Sequence, residues 1–296
     1  MTRVSIASLR LTNPEFKVTL VLDEISATIL RESADPLLNE VDETISIKTP
    51  QGKSIFRNRH IKTRLGNLIS GPFLFLDSDT FIRGDISSIY NCNADIAAVP
   101  NLSQRYFKNQ IWSQDSKALK KMNWKIRSDY YVNGGVLFFN NSEETFNFFE
   151  SWHLKWLQSN NRLRYYRDQP ALNSALNDTS SRLKILPNIY NAQFRGNPSV
   201  TKNALIWHYY SSAQINAPIT SFEILCLRII RKKNDDALDG IKSIIHSEHP
   251  WRREKIFDDV MASYSRYKGE LSEFEENWFS GNRIIALGKL IRTIMN

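Results

Sequence analysis

Cysteine is scarce: only Cys92 and Cys226 occur in 296 residues, far apart and outside any CxxC or Cys/His cluster. That excludes a disulfide framework and a zinc module, and it fits a reducing compartment. Nowhere do about 18 apolar residues run together, the length needed to span a bilayer, and the opening MTRVSIASLRL lacks the apolar core of a secretion signal. A cytoplasmic protein is expected, soluble or peripheral at the inner face of the membrane. Acidic residues are fewer than basic ones, 31 against 39, which favours anionic partners such as nucleotide phosphates or lipid head groups. No nucleic-acid-binding module accompanies the charge, so nucleic acid is not an expected partner. There is no internal repeat or low-complexity tract. The 42% hydrophobic and 24% charged residues suffice for a full core.

Short apolar runs alternate with helical patterns. Val4 to Leu11 suits a helix that Asn13-Pro14 terminates. KVTLVLD, residues 17 to 23, suits a buried parallel strand; Phe73 to Leu76 reads as a second strand, Ile96 to Val99 and Val136 to Phe139 as further apolar runs, and Leu183 to Leu186 and Ala204 to Trp207 as short late strands. Helical spacing predicts helices over Ile61 to Ile69, ended by Gly71-Pro72, over Glu143 to Leu157, and over Gln169 to Leu176, entered through Pro170. This alternation predicts an α/β domain over residues 1–212, with a mostly parallel central sheet flanked by helices and ligands at the carboxyl ends of its strands. Beyond residue 212 no strands are evident, and residues 213–296 read as a basic helical appendage. Its last segment, 277 to 296, is a basic amphipathic helix that suits either docking on the core or an anionic membrane surface.

The chemistry concentrates in FLFLDSDT, residues 73 to 80, where a buried strand runs into two carboxylates separated by Ser78. Asp77 and Asp79 would repel one another and lose hydration there unless a cation or hydrogen bonds compensated. A hard divalent ion, Mn2+ or Mg2+, could do so and bridge to a diphosphate, neutralising charge on a leaving group. The plainer alternative is that the aspartates cap a helix or turn.

Further words accompany this one in a fixed order: HIKTRLGNLISGPFLFLDSDT (60 to 80), YVNGGVLFFN (131 to 140), YRDQPALN (166 to 173), LPNIYN (186 to 191) and IWHYY (206 to 210). Together they resemble nucleotide-sugar transferases of the A-type fold, closest to glycosyltransferase family 8, over roughly Lys17 to Tyr210. The resemblance implies metal ligation by Asp77, Asp79 and His208. It implies that Lys62, where the family more often has arginine, lies near the donor sugar or diphosphate, and that the loop of Asn133, Gly134 and Gly135 touches the sugar. It puts Asp168 and Gln169 by the sugar's hydroxyls and reactive face. Ser78 and Asp23 join the expected nucleotide site. Structural alternatives stay open: a surface lysine for Lys62, a tight turn for the glycines, an N-cap for Asp168 and a loop cap for Asp23.

The implied activity is transfer of a hexose from a nucleotide-diphosphate sugar, UDP-linked, to a glycan or lipid-linked saccharide with retention of configuration. The resemblance also implies a base-binding strand ahead of the first helix. That strand would have to precede Met1, so the sheet is expected to lack it. Two rivals remain on sequence alone: a degenerate fold that binds sugar nucleotides without turnover, and an aspartate-nucleophile phosphatase. The latter favours Thr or Val where Phe81 stands.

Overall fold

A computed structural model describes residues 1–103, 111–193, 200–210 and 235–247, together with Ile284 and Leu287. In chain order the elements are α1 (Thr2–Thr12), β1 (Thr19–Asp23), α2 (Glu24–Glu32), β2 (Glu43–Ile47), α3 (Ser54–Lys62), β3 (Phe73–Leu76), β4 (Thr80–Ile82) and β5 (Ile96–Pro100). There follow α4 (Ser113–Met122), β6 (Val132–Phe139), α5 (Glu143–Leu163), α6 (Gln169–Asp178), β7 (Leu183–Ile185), β8 (Ile206–His208) and α7 (Asp235–Ile245). The chain divides into two compact units, one made of Glu15–Asp77 and Ser87–Leu186, the other of Met1–Pro14, Ser78–Ile86 and Pro187–Asn296. The division passes between Asp77 and Ser78.

The first unit contains a four-stranded sheet in the order β3, β6, β5, β7, and a separate pair, β1 with β2. The expected mostly parallel sheet is corrected here to a mixed one. β6 runs antiparallel to both β3 and β5, and only β5 with β7 and β1 with β2 are parallel. Strands buried on both faces look alike in sequence whichever way their neighbours run, so apolar runs could not reveal direction. β5 and β6 are buried along their whole length. Asn133, Gly134 and Gly135 lie within β6 rather than in a loop or tight turn. Strand β2 escaped the sequence reading because ETISI alternates polar and partly buried residues without an apolar run.

Helix α5 starts at Ser142, whose hydroxyl accepts the Thr145 N–H at 3.2 Å. It lays Phe148, Phe149, Trp152 and Trp156 on the core beside Leu137, Phe139 and the α6 residues Leu172 and Leu176. The expected helix over Ile61 to Ile69 is instead α3, ending at Lys62, followed by a 3-10 turn at Leu65–Asn67. The reason lies at Gly66: a β-carbon there would fall 2.2 Å from the Phe149 ring. The backbone approaches the aromatic core closely at this turn, which only glycine permits. Gly71, with φ of +81°, therefore does not end this helix as expected but lies in a bend before β3.

On α3 and α5, His60 and His153 meet with ring centroids 5.0 Å apart. Thr63 Oγ1 lies 2.8 Å from His153 Nδ1. Burial, then the nearby charges of His60 and Arg64, hold the His153 pKa down to about 4. Burial, then Arg64, lowers that of His60 also. An unfolded chain takes up protons on these rings below about pH 6.5, which the folded protein resists, so the unfolded state binds more protons in this window. Stability should therefore be full above about pH 6.5 and decline towards about pH 4. Urea midpoints measured across that range check this, and His153→Gln should flatten the slope. A wild-type midpoint independent of pH there would contradict it.

In the second unit β4 pairs antiparallel with β8, matching Thr80 to His208 and Ile82 to Ile206. Phe81, Trp207, Tyr209, Val4 and Ile241 share one buried cluster. Helix α1 is tied to β4 by Ser8 Oγ, which accepts the Ile82 N–H at 3.0 Å, and just beyond the two elements Asn13 Oδ1 accepts from Ile86 N at 2.9 Å. The predicted terminal helix over 277–296 lies, apart from Ile284 and Leu287, outside the described residues. Among the described residues no helix is long and apolar enough to cross a membrane.

Candidate active site

Helix α3 points three basic side chains at carboxylates of its own unit. Arg57 Nε lies 3.1 Å from Asp23 Oδ1, Arg59 Nε 2.9 Å from Asp168 Oδ1, and Lys62 Nζ 3.2 Å from Asp77 Oδ1 and 3.5 Å from Asp168 Oδ2. Lys62 is 4% exposed, so the surface-lysine alternative is excluded. Its ammonium also sits 4.7 Å from the centroid of the Phe75 ring. Asp23 caps α2, accepting from Ser26 N at 3.1 Å and Ser26 Oγ at 2.8 Å. Burial opposes its ionisation, but Ser26 and Arg57 outweigh that and lower its pKa. With the cap and the arginine engaging both oxygens, Asp23 has a structural use.

Asp168 stands at the N-cap position of α6, yet its side chain makes no cap hydrogen bond. Its carboxylate turns to Lys62 and Arg59 instead. Burial pushes against its charge, and Lys62 and then Arg59 overcome that and hold its pKa below the ordinary value. Its main chain is anchored from α5: the Trp152 indole donates to Asp168 O at 3.2 Å, and Trp156, one turn on, donates to Tyr166 O at 3.1 Å. Gln169 Oε1 accepts from Gly134 N at 3.3 Å and Asn133 Nδ2 at 3.4 Å. That fixes the amide's orientation and leaves Gln169 Nε2 buried without a hydrogen bond. Asp168 Oδ2 is buried without one as well. A β-carbon on Gly134 would lie 3.4 Å from Lys62 Nζ and 3.7 Å from Asp168 Oδ2, so a side chain there would crowd the same charged group.

Asp77 is held by its N–H, which donates to Gly135 O at 2.8 Å. Ser78 follows, exposed in the turn before β4. In the second unit His208 Nδ1 donates to Asn191 Oδ1 at 2.9 Å, which orients the ring. Nε2 lies 3.3 Å from Asp79 Oδ1. The orienting bond to Asn191 is the kind that metal-bound histidines make. Asp77, Asp79 and His208 each offer one ligand atom, all within 4.8 Å of one another, and form a candidate metal group.

The sequence words singled out the residues of this candidate group but neither Arg59 nor Asn191. Arg59 was within reach, since its spacing of three from Lys62 puts both on one helical face. Asn191 lay in the LPNIYN word without any sign that it faces His208.

The profile of glycosyl transferase family 8 matches residues 1–214. The chain belongs to glycosyltransferase family 8. Among solved structures it resembles the glycosyltransferase GlyE of Streptococcus pneumoniae TIGR4 at 16% identity and a TM-score of 0.51, over 86% of this chain and 63% of GlyE. It is also similar to the galactosyltransferase LgtC, crystallised with donor and acceptor sugar analogues, at 14% identity and a TM-score of 0.48, over 87% of this chain and 94% of LgtC. A third, mouse xyloside xylosyltransferase 1, matches at 14% identity and a TM-score of 0.46, over 72% of this chain and 92% of that one. The GlyE likeness bears on the fold alone. No curated protein matches in direct sequence comparison. As a family 8 glycosyltransferase the chain is an enzyme of sugar transfer from nucleotide sugars, and the aspartate-nucleophile phosphatase reading is overturned.

Proposed function

We propose that this family 8 chain is a metal-dependent hexosyltransferase that takes its sugar from UDP and delivers it, with retained configuration, to a glycan or lipid-linked saccharide. The observation that carries this is the Asp77, Asp79 and His208 group. Two carboxylates and an imidazole suit Mn2+, and Mg2+ less closely because it prefers oxygen ligands throughout. The bound ion would neutralise diphosphate charge as the sugar leaves.

The chain's own residues do the rest. Lys62 offers a buried ammonium for phosphate charge that grows as the bond between the sugar's C1 and the β-phosphate oxygen breaks. Asp168 Oδ2 and Gln169 Nε2 are an acceptor and a donor without hydrogen bonds. Sugar hydroxyls would satisfy them, donating to the carboxylate and accepting from the amide. Gly134 keeps the space beside them clear. The electron pair of the broken bond departs with UDP, the acceptor oxygen bonds to C1, and its proton passes to the departing phosphate oxygen on the same face.

Release of UDP from a panel of UDP-hexoses in the presence of manganese tests the reading. Manganese-dependent binding without release would favour the degenerate alternative, and neither binding nor release would overturn the proposal. We also place the protein at the inner face of the membrane, held by Trp278, Phe279, Arg283, Lys289 and Arg292 of the basic terminal segment. Co-sedimentation with anionic vesicles should disappear when residues 277–296 are deleted, and unchanged binding would contradict it.

A further inference from the structure

We propose that Arg59 is a positioning residue that holds the Asp168 carboxylate in the orientation needed to read the donor sugar, leaving Lys62 free to answer phosphate charge. This rests on the donor reading of Asp168 given above.

Lys62 has one ammonium and divides it, 3.2 and 3.4 Å from the two oxygens of Asp77 and 3.5 Å from Asp168 Oδ2. An anionic donor competes for that same ammonium. If Lys62 alone held Asp168, engaging a diphosphate would release a buried carboxylate from its nearest charge partner. Arg59 prevents this, because it approaches the other oxygen, Oδ1, more closely, at 2.9 Å. Three residues apart on α3, the two cations take one carboxylate oxygen each. With Oδ1 occupied from one side, Oδ2 is the oxygen left towards Lys62 and Gly134, buried and without a hydrogen bond.

The supports behind the pair are rigid. Arg59 lies in a helix whose Thr63 hydroxyl donates to Arg59 O at 2.9 Å and meets His153 of α5 at 2.8 Å. Asp168 is held on its main chain by Trp152 of that same α5. One long helix thus fixes both the cation's backbone and the carboxylate's backbone. Rotation of the Asp168 side chain is the freedom left, and the charge of Arg59 beside Oδ1 restrains it.

Two experiments with Arg59→Gln and Arg59→Lys decide the matter. Calorimetry compares UDP with UDP-glucose and UDP-galactose in the presence of manganese. The proposal expects Arg59→Gln to leave UDP affinity within about twofold of wild type, and to erase about tenfold of the affinity that the better sugar adds. Arg59→Lys should restore part of that increment. An unchanged increment overturns the proposal. So does an equal loss for UDP itself, which would make Arg59 a phosphate contact. Crystal structures of wild type and Arg59→Gln give the second, donor-independent answer: the Asp168 carboxylate should turn away from Gly134, and an unmoved carboxylate overturns the positioning role. If wild type gains nothing from any sugar, the donor reading of Asp168 fails, while the crystal comparison still reports on Arg59's hold.

Discussion

Asp79→Ala is expected to abolish manganese-dependent binding of UDP and to lower turnover by about 10²–10³-fold. Asp79 and Nε2 of His208 face each other at 3.3 Å, so removing the carboxylate takes away one of three candidate ligands and the negative charge that draws the ion. The fold should survive the change. Asp79 lies in a turn, and the main-chain bond from Tyr209 N to Asp79 O, at 2.8 Å, does not depend on its side chain. His208 keeps its bond to Asn191. Calorimetric titration of both proteins with UDP, with and without manganese, makes the check. Metal-dependent binding that persists in Asp79→Ala would remove this group as the metal centre. Asp77 is a less clean target, because its loss also deprives the buried Lys62 of its nearer partner.

Trp152→Ala should be the most damaging core substitution. The ring is 1% exposed and packs beside Phe148 and Phe149, with centroids 5.6 and 5.9 Å away. Truncating a large buried aromatic costs about 3–5 kcal/mol. The change also strips the indole donor from Asp168 O, which couples core packing to the site. Trp152→Phe separates the two effects. It keeps most of the volume and removes the N–H, so stability should fall by about 1–2 kcal/mol while turnover falls through a loosened Asp168. Urea unfolding gives the first quantity and UDP release the second. Unaltered turnover in a folded Trp152→Phe protein would show that the indole bond is not needed to hold Asp168.

Much of the architecture was legible because local chemistry and tertiary use coincide. FLFL is apolar enough to be a strand anywhere, and β3 is Phe73–Leu76. Pro170 suits the first turn of a helix, and α6 begins at Gln169. The candidate metal group was legible through motif order, since the words carrying Asp77, Asp79 and His208 stand in the order of the family 8 resemblance. The 3-10 turn was not, because Leu65, Leu68 and Ile69 keep helical spacing although the backbone has left the helix to bring Gly66 against Phe149.

The sequence by itself determined the α/β class, the placement of a carboxylate pair after an apolar strand, and the family to which the chain belongs; that strand, expected to be buried, is half-buried at the edge of its sheet. The first two follow from periodicity and residue type, which act over a few neighbouring positions; the family follows from the order of the sequence words and the profile match. Only the tertiary structure decided that β6 runs against both of its neighbours. It alone showed that Asp168 turns to Arg59 and Lys62 instead of capping its helix, and that Asn191 orients His208. Each of those depends on which distant groups meet in a buried place, where an ion pair or a fixed proton outweighs local preference and spacing along the chain records nothing of the encounter.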